Sequence, residues 1–299
     1  MSRRGRRLSP ATVFFALLSL VLGVALYWKT RPASTSAPST SAAPPRSVPT
    51  RARPLPSTPR RLPTAAPEKA HPARSPVAGR PRIAIVVDDL GNELAPAARI
   101  AGWKEPVAGA VLPDLRWSAA SAEALARGGH EVLLHLPMEP EGYPRVRPGP
   151  GLVLRSQSDA EIERLLEEDL ATVPGAVGVN NHMGSAATAD ARVMRAVTRV
   201  LARRGLFFLD SRTTDATVAE RTAEEASVRA ASRRVFLDDV AREDPIRAQL
   251  EELVRRAHQD GAAIAIGHPY PVTLFVLEKE LPEMSRRGVE IVKVSELVR

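Results

Sequence analysis

Beyond residue 82, short apolar runs alternate with amphipathic stretches, separated by glycines and polar turns. The first run, Ile83-Ala-Ile-Val-Val87, is mostly β-branched and stops at Asp88-Asp89, with Gly91 just after. A run of that length bounded by a turn signal reads as a buried strand, typically of a parallel sheet. Further strands are predicted at 107–112, 131–135, 177–179, 206–209, 235–237, 262–266 and 289–292. Helical spacing predicts helices at 94–102, 117–127, 158–172, 190–204, 245–260 and 272–287. Ser158-Asp-Ala-Glu161 is a capping box, and Gly128-Gly129, Gly205 and Gly261 are stop signals. The Pro/Gly-rich stretch 137–157 and the polar stretch 180–188 are predicted as loops. This alternation predicts one α/β domain over 82–299, an open or barrel-like sheet of roughly seven or eight strands.

The N-terminal pattern differs. Arg3, Arg4, Arg6 and Arg7 precede an apolar run from Ala11 to Trp28, about long enough to span a bilayer. The cluster predicts a cytoplasmic N-terminus, and Tyr27 and Trp28 suit an interface. Residues 1–28 are thus expected to form a single-pass inner-membrane anchor, with the domain extracytoplasmic. A cleaved signal and secretion are the alternative, but no convincing small-residue cleavage site follows the run. Residues 29–81 are rich in Pro, Ser, Thr, Ala and Arg, and read as a disordered linker.

Composition changes one part of this picture. The first 82 residues hold 15 basic side chains against one acid, Glu68, which leaves the rest of the chain at −6 of the total +8. The predicted domain is therefore acidic, which argues against a nucleic-acid partner. Cysteine is absent, so disulfides, zinc–thiolate sites and cysteine nucleophiles are excluded.

The candidate chemistry lies at the strand ends. Asp88-Asp89, His135, His182, Asp210, Asp238-Asp239 and His268 all fall there, and in a parallel sheet these ends share one edge. Adjacent carboxylates repel unless a metal or a proton resolves them. Asp and His with a further ligand suit a divalent ion, zinc before others, with a position open to water. Such a site points to hydrolysis, with a carboxylate taking a proton and a His donating one. Neither a Gly-x-Ser-x-Gly elbow nor a phosphate-cradling Gly-rich Lys loop is present. A phosphoesterase ranks last, because only Arg212 clearly offers an anion donor. His71, His130 and His258 read as structural or linker residues.

Five segments, Ile85-Val-Val-Asp-Asp-Leu-Gly91, Gly129-His-Glu-Val-Leu-Leu-His-Leu-Pro-Met-Glu-Pro140, Gly178-Val-Asn-Asn-His-Met-Gly-Ser185, Phe208-Leu-Asp-Ser-Arg-Thr-Thr214 and Ile264-Ala-Ile-Gly-His-Pro-Tyr270, resemble the divergent polysaccharide deacetylases. The resemblance covers essentially all of 82–299. It implies a distorted (β/α) barrel and removal of acetyl groups from a sugar polymer, cell-wall polymer being the nearest candidate. It further implies Asp88 as catalytic base, Asp89 and His135 as metal ligands, and His268, with Thr273, as general acid. The usual second His ligand is replaced by Glu139, so His182 is expected to complete the site, with Glu139 as its rival. Asn181, Asp210, Arg212 and Asp238 are candidates for holding substrate or orienting ligands. The alternative function is a catalytically inactive glycan-binding or envelope scaffold protein of the same fold.

Overall fold

The computed structural model describes residues 79–299. The predicted anchor and almost all of the predicted linker lie outside these residues. Among the described residues, no helix is long and apolar enough to cross a membrane.

Nine strands form one sheet: β1 (Arg82–Leu90), β2 (Ala108–Val111), β3 (Val132–Met138), β4 (Ala176–Met183), β5 (Phe207–Asp210), β6 (Ala230–Ser232), β7 (Val235–Phe236), β8 (Ala262–Gly267) and β9 (Glu290–Ile291). Every pairing is parallel. The helices between them are α1 (Leu94–Ile100), α2 (Ser118–Arg127), α3 (Asp159–Thr172), α4 (Ala191–Arg204), α5 (Ala219–Glu225), α6 (Glu243–Asp260) and α7 (Pro271–Arg286). Ser158 and Glu161 form the predicted capping box on α3. Asp190 caps α4, accepting from Arg192 N and Val193 N. Caps of this kind are worth about 1 kcal/mol each.

The strand order β6-β5-β4-β3-β2-β1-β8-β7 puts β6 and β7 at opposite ends, yet only Arg233 and Arg234 separate them in sequence. Laid flat, the ends would stand about 30 Å apart. The connecting residues reach only about 11 Å. The sheet must therefore curl until its ends meet. Hydrogen bonds mark the seam: Arg233 N donates to Asp210 O (2.9 Å) beside β5, and Arg234 N donates to Ile264 O (2.8 Å) in β8. β6 and β7 thus act as one strand that leaves one edge and joins the other.

Two apolar layers follow from the period of two along each strand. On β1, Ile83, Ile85 and Val87 join the larger cluster, between sheet and helices. Ala84 and Val86 join a smaller one with Ala108, Ala110, Leu133, Phe207, Leu209, Ile264 and Ile266, which lines the inside of the curl. Val294 and Val298 of the C-terminal segment belong to that inner cluster too. Gly178 of β4 faces it, and a Cβ there would lie 2.4 Å from the Phe207 ring. Each inward row then changes character at the next alternate positions: Val86 to Asp88, Leu133 to His135, Gly178 to Asn180 to His182, Leu209 to Ser211, Ile266 to His268. The inside of the curl has an apolar floor and a polar mouth.

Several sequence expectations need correction. β3 continues through Met138, so His135 lies within the strand rather than at its end. Pro137 is tolerated because β2 pairs only as far as Leu134, so that side beyond it has no β2 ladder to break. β4 continues through Met183, so Asn180, Asn181 and His182 stand on a strand, not in a loop. They look like loop residues because their polarity serves the mouth. Helix α5 and strand β6 were not predicted. Both are short, and 211–234 has no clean periodicity.

Candidate metal centre

Asp88 and Asp89 are adjacent on β1, where regular alternation would send them to opposite faces. Asp89 instead takes a left-handed conformation (φ 57), and the register to β2 shifts between Val87 and Leu90. This bulge turns both carboxylates toward one imidazole. His135 Nε2 lies 3.5 Å from Asp88 Oδ2 and 3.2 Å from Asp89 Oδ1. A non-glycine residue in this region costs of order 1 kcal/mol, a cost met most often at functional sites.

His182 completes a triangle. Its Nδ1 is 3.0 Å from Asp89 Oδ1 and 3.1 Å from His135 Nε2. His135 Nδ1 is 2.9 Å from Asn180 Oδ1, which as an amide oxygen must accept, so Nδ1 carries the hydrogen. In its neutral form His135 then presents the lone pair of Nε2 to Asp89 Oδ1 and His182 Nδ1. Asp89 Oδ1 is buried without an aligned hydrogen bond. Converging lone pairs at this spacing repel unless a cation sits among them. Donor separations of about 3 Å match the edge of a coordination shell built from ligands at about 2.1 Å. The residues fit a divalent ion. Burial pushes the Asp89 carboxyl up, but positive charge beside it, from protonated His135 and His182 or from an ion in place of those protons, overcomes this and holds it well below the usual carboxylate range.

Around the triangle stand two further groups. Asp88 is 3 % exposed, and burial raises its pKa against the pull of His135. Its Oδ1 accepts from Asn180 Nδ2 (2.8 Å), so one amide bridges Asp88 and His135. On the other side, His268 Nε2 is 3.9 Å from Asp89 Oδ2. His268 Nδ1 donates to Asp238 Oδ1 (2.9 Å), while Asp238 Oδ2 accepts from His268 N (2.6 Å) and Thr273 Oγ1 (2.8 Å). Burial lowers the His268 pKa, but Asp238 outweighs it and the net shift is upward.

A model of the divergent polysaccharide deacetylases matches residues 85–298. The chain belongs to this family. Relatives of this chain include the uncharacterised protein YibQ of Escherichia coli K12, 39% identical over 218 residues, which cover 73% of this chain and 67% of that one. An uncharacterised protein of Haemophilus influenzae is 37% identical over 205 residues, covering 68% and 72%. The crystal structure of an uncharacterised protein from Agrobacterium tumefaciens C58 superposes with a TM-score of 0.70 at 29% identity, covering 76% of this chain and 92% of that one.

Not every candidate joins the cluster. Glu139, the rival ligand, is held by Arg155 through its backbone N (2.7 Å) and its guanidinium (2.9 and 3.0 Å), and stands outside the triangle. Asn181 accepts from Ser211 N and donates to Met183 O, bracing two strand ends. Buried Asp210 accepts from Arg212 N and Thr217 Oγ1, so it holds its own turn. It makes no ion pair with the exposed Arg212, whose guanidinium is 3.6 Å from Asp215. His130 is structural, its Nδ1 accepting from Val107 N. Sequence reasoning missed Asn180 as the bridge, although its place two residues before His182 on one strand puts both on the same face.

Proposed function

We propose that this chain is a metal-dependent carbohydrate deacetylase acting on an acetylated polysaccharide of the envelope or cell wall. The observation that carries the reading is the triangle of Asp89 Oδ1, His135 Nε2 and His182 Nδ1, with Asp88 on one side and His268 on the other. Two imidazoles and a carboxylate suit zinc best. A divalent ion held there supplies Lewis acidity, polarising the acetyl carbonyl and acidifying a water.

Asp88 and His268 divide the proton work. Asn180 occupies Asp88 Oδ1, which leaves Oδ2 to accept a proton from the attacking water. A carboxylate with a raised pKa is a better base near neutral pH. The water oxygen bonds to the acetyl carbon, and the bond from that carbon to the sugar nitrogen or oxygen breaks. His268 Nε2–H protonates the departing sugar atom, and acetate leaves. Asp238 keeps the other His268 nitrogen engaged, so Nε2 faces the reacting atoms.

The Arg cluster, apolar run and Pro-rich stretch of residues 1–81 support a single-pass tether in the inner membrane, with the domain in the periplasm. Fractionation that leaves the chain in the soluble periplasm would replace the tether with a cleaved signal. For activity, the test is metal content and acetate release by the purified full chain. Asp88→Asn should retain the ion and lose about 10²–10⁴-fold in acetate release. Unchanged release removes Asp88 from its role. A wild type that takes up no divalent ion under any loading condition leaves only the glycan-binding reading.

A further inference from the structure

The cleft of about 700 Å³ that opens over Asp89, His135 and His182 is also lined by Arg233, from the seam between β6 and β7. Arg233 is half-buried and packs over the Phe236 ring, 5.0 Å from its centroid. Its Nε donates to Ser211 O (2.8 Å), and one Nη donates to Arg212 O (3.1 Å). Among the described residues no carboxylate oxygen lies within 4.0 Å of it. The two backbone contacts use the side edge of the guanidinium. The end edge, with one N–H from each Nη, has no partner, and that parallel pair is the fork that matches a carboxylate. The anions of the neighbourhood, Asp210 and Asp88, act on it only from beyond ion-pair distance. Arg212 next door is a second cation, and burial together with its charge holds the Arg233 pKa below the ordinary value.

We propose that Arg233 recognises a carboxylate on the substrate, so that the polymer acted on is an acetylated acidic glycan. This rests on the deacetylase reading above. A monoanion suits the cleft better than a phosphate dianion, because Asp88 and Asp89 already line it. It also gives the seam a role: the strand that closes the curl brings a cation to the mouth.

The probes are an acetylated oligouronate and the same oligosaccharide with its carboxylates reduced to primary alcohols. Binding is measured on the metal-loaded full chain carrying Asp88→Asn, where turnover is suppressed. Acetate release is measured separately on the wild type. The oligouronate should bind about 10–100-fold more tightly than its reduced form, the range expected for a charge-assisted bidentate contact. Arg233→Gln should bring that ratio to about one, and Arg233→Lys should restore only part of it. A clamp that merely holds the Ser211–Arg212 turn would weaken both ligands equally and leave the ratio intact. Equal binding of both probes before any change at Arg233, a ratio that survives Arg233→Gln, or tighter binding of a phosphorylated analogue overturns the proposal. The first comparison needs no change at Arg233, so misfolding of a variant cannot rescue the idea. A binding preference without acetate release from either probe would sink the deacetylase reading and keep the carboxylate site. Release without preference would do the reverse.

Discussion

Asp89 is half-buried and Asp169 fully buried in the same domain, and their surroundings push them in opposite directions. Asp89 sits at the mouth of the curl, where His135 and His182 hold its carboxyl well below the usual range. Asp169 lies on the inner side of α3, fully buried, and neither of its oxygens has a hydrogen-bond partner. Burial, helped by the charges of Asp114 and Glu168, pushes its pKa up to about 8. Burial alone therefore does not mark the site. What marks it is compensation: three imidazoles stand within 4 Å of the Asp89 carboxylate.

Removing each acid in turn breaks this comparison most directly. Asp89→Ala deletes a ligand from a three-residue cluster and should abolish divalent-ion uptake, with acetate release falling by 10³-fold or more, about 4 kcal/mol of lost transition-state stabilisation. Asp169→Ala should leave metal content per chain unchanged. Metal analysis of the two purified proteins decides it. Loss of the ion from Asp169→Ala as well would mean that folding, not ligation, governs uptake.

A subtler test acts through Asn180, which touches no ion but holds His135 Nδ1 and Asp88 Oδ1 together. Asn180→Ala should weaken metal affinity by about 10–100-fold, the usual effect of losing an outer hydrogen bond to a ligating imidazole. Competition with a chelator of known affinity measures it. An unchanged affinity would show that the imidazole is oriented by its neighbours alone.

Asn180 also shows what the sequence made legible. Asp88, His135 and His268 could be found because each continues an apolar run whose strand is evident from its β-branched residues. The inward rows were not visible as rows, since register depends on which strands pair. Asn180 and Asn181 looked like loop residues because polarity normally marks a loop, and here it marks a strand entering a polar mouth. Arg233 was hidden more deeply. The closure of the sheet by β6 and β7 depends on pairings far apart in sequence, and these strands are only three and two residues long. Arg212 was singled out in the sequence as the anion donor, but its side chain is exposed while Arg233 turns into the cleft.

The smallest expected effect belongs to Asp169, and its sign follows from linkage. The folded pKa is raised to about 8 from 3.8, so between these values the folded state keeps a proton that the unfolded state has released. Stability then falls as pH rises through that window, and the loss is complete above it. Asp169→Asn removes the titration while keeping the shape. The amide still lacks partners, at about 1–3 kcal/mol, which offsets much of the gain. The net result should be a stabilisation at pH 8.5 that shrinks as pH falls and turns into a destabilisation of about 1–3 kcal/mol near pH 4, where the wild-type acid is protonated and only the amide's cost remains. Close packing sharpens the choice of substitution: a Cβ on Gly151 would lie 2.5 Å from Asp169 Oδ1, so little space exists for a longer side chain. Denaturant unfolding of both proteins at the two pH values measures the difference. If Asp169→Asn destabilises at pH 8.5, the carboxylate has a partner that compensates it, and the contrast with Asp89 disappears.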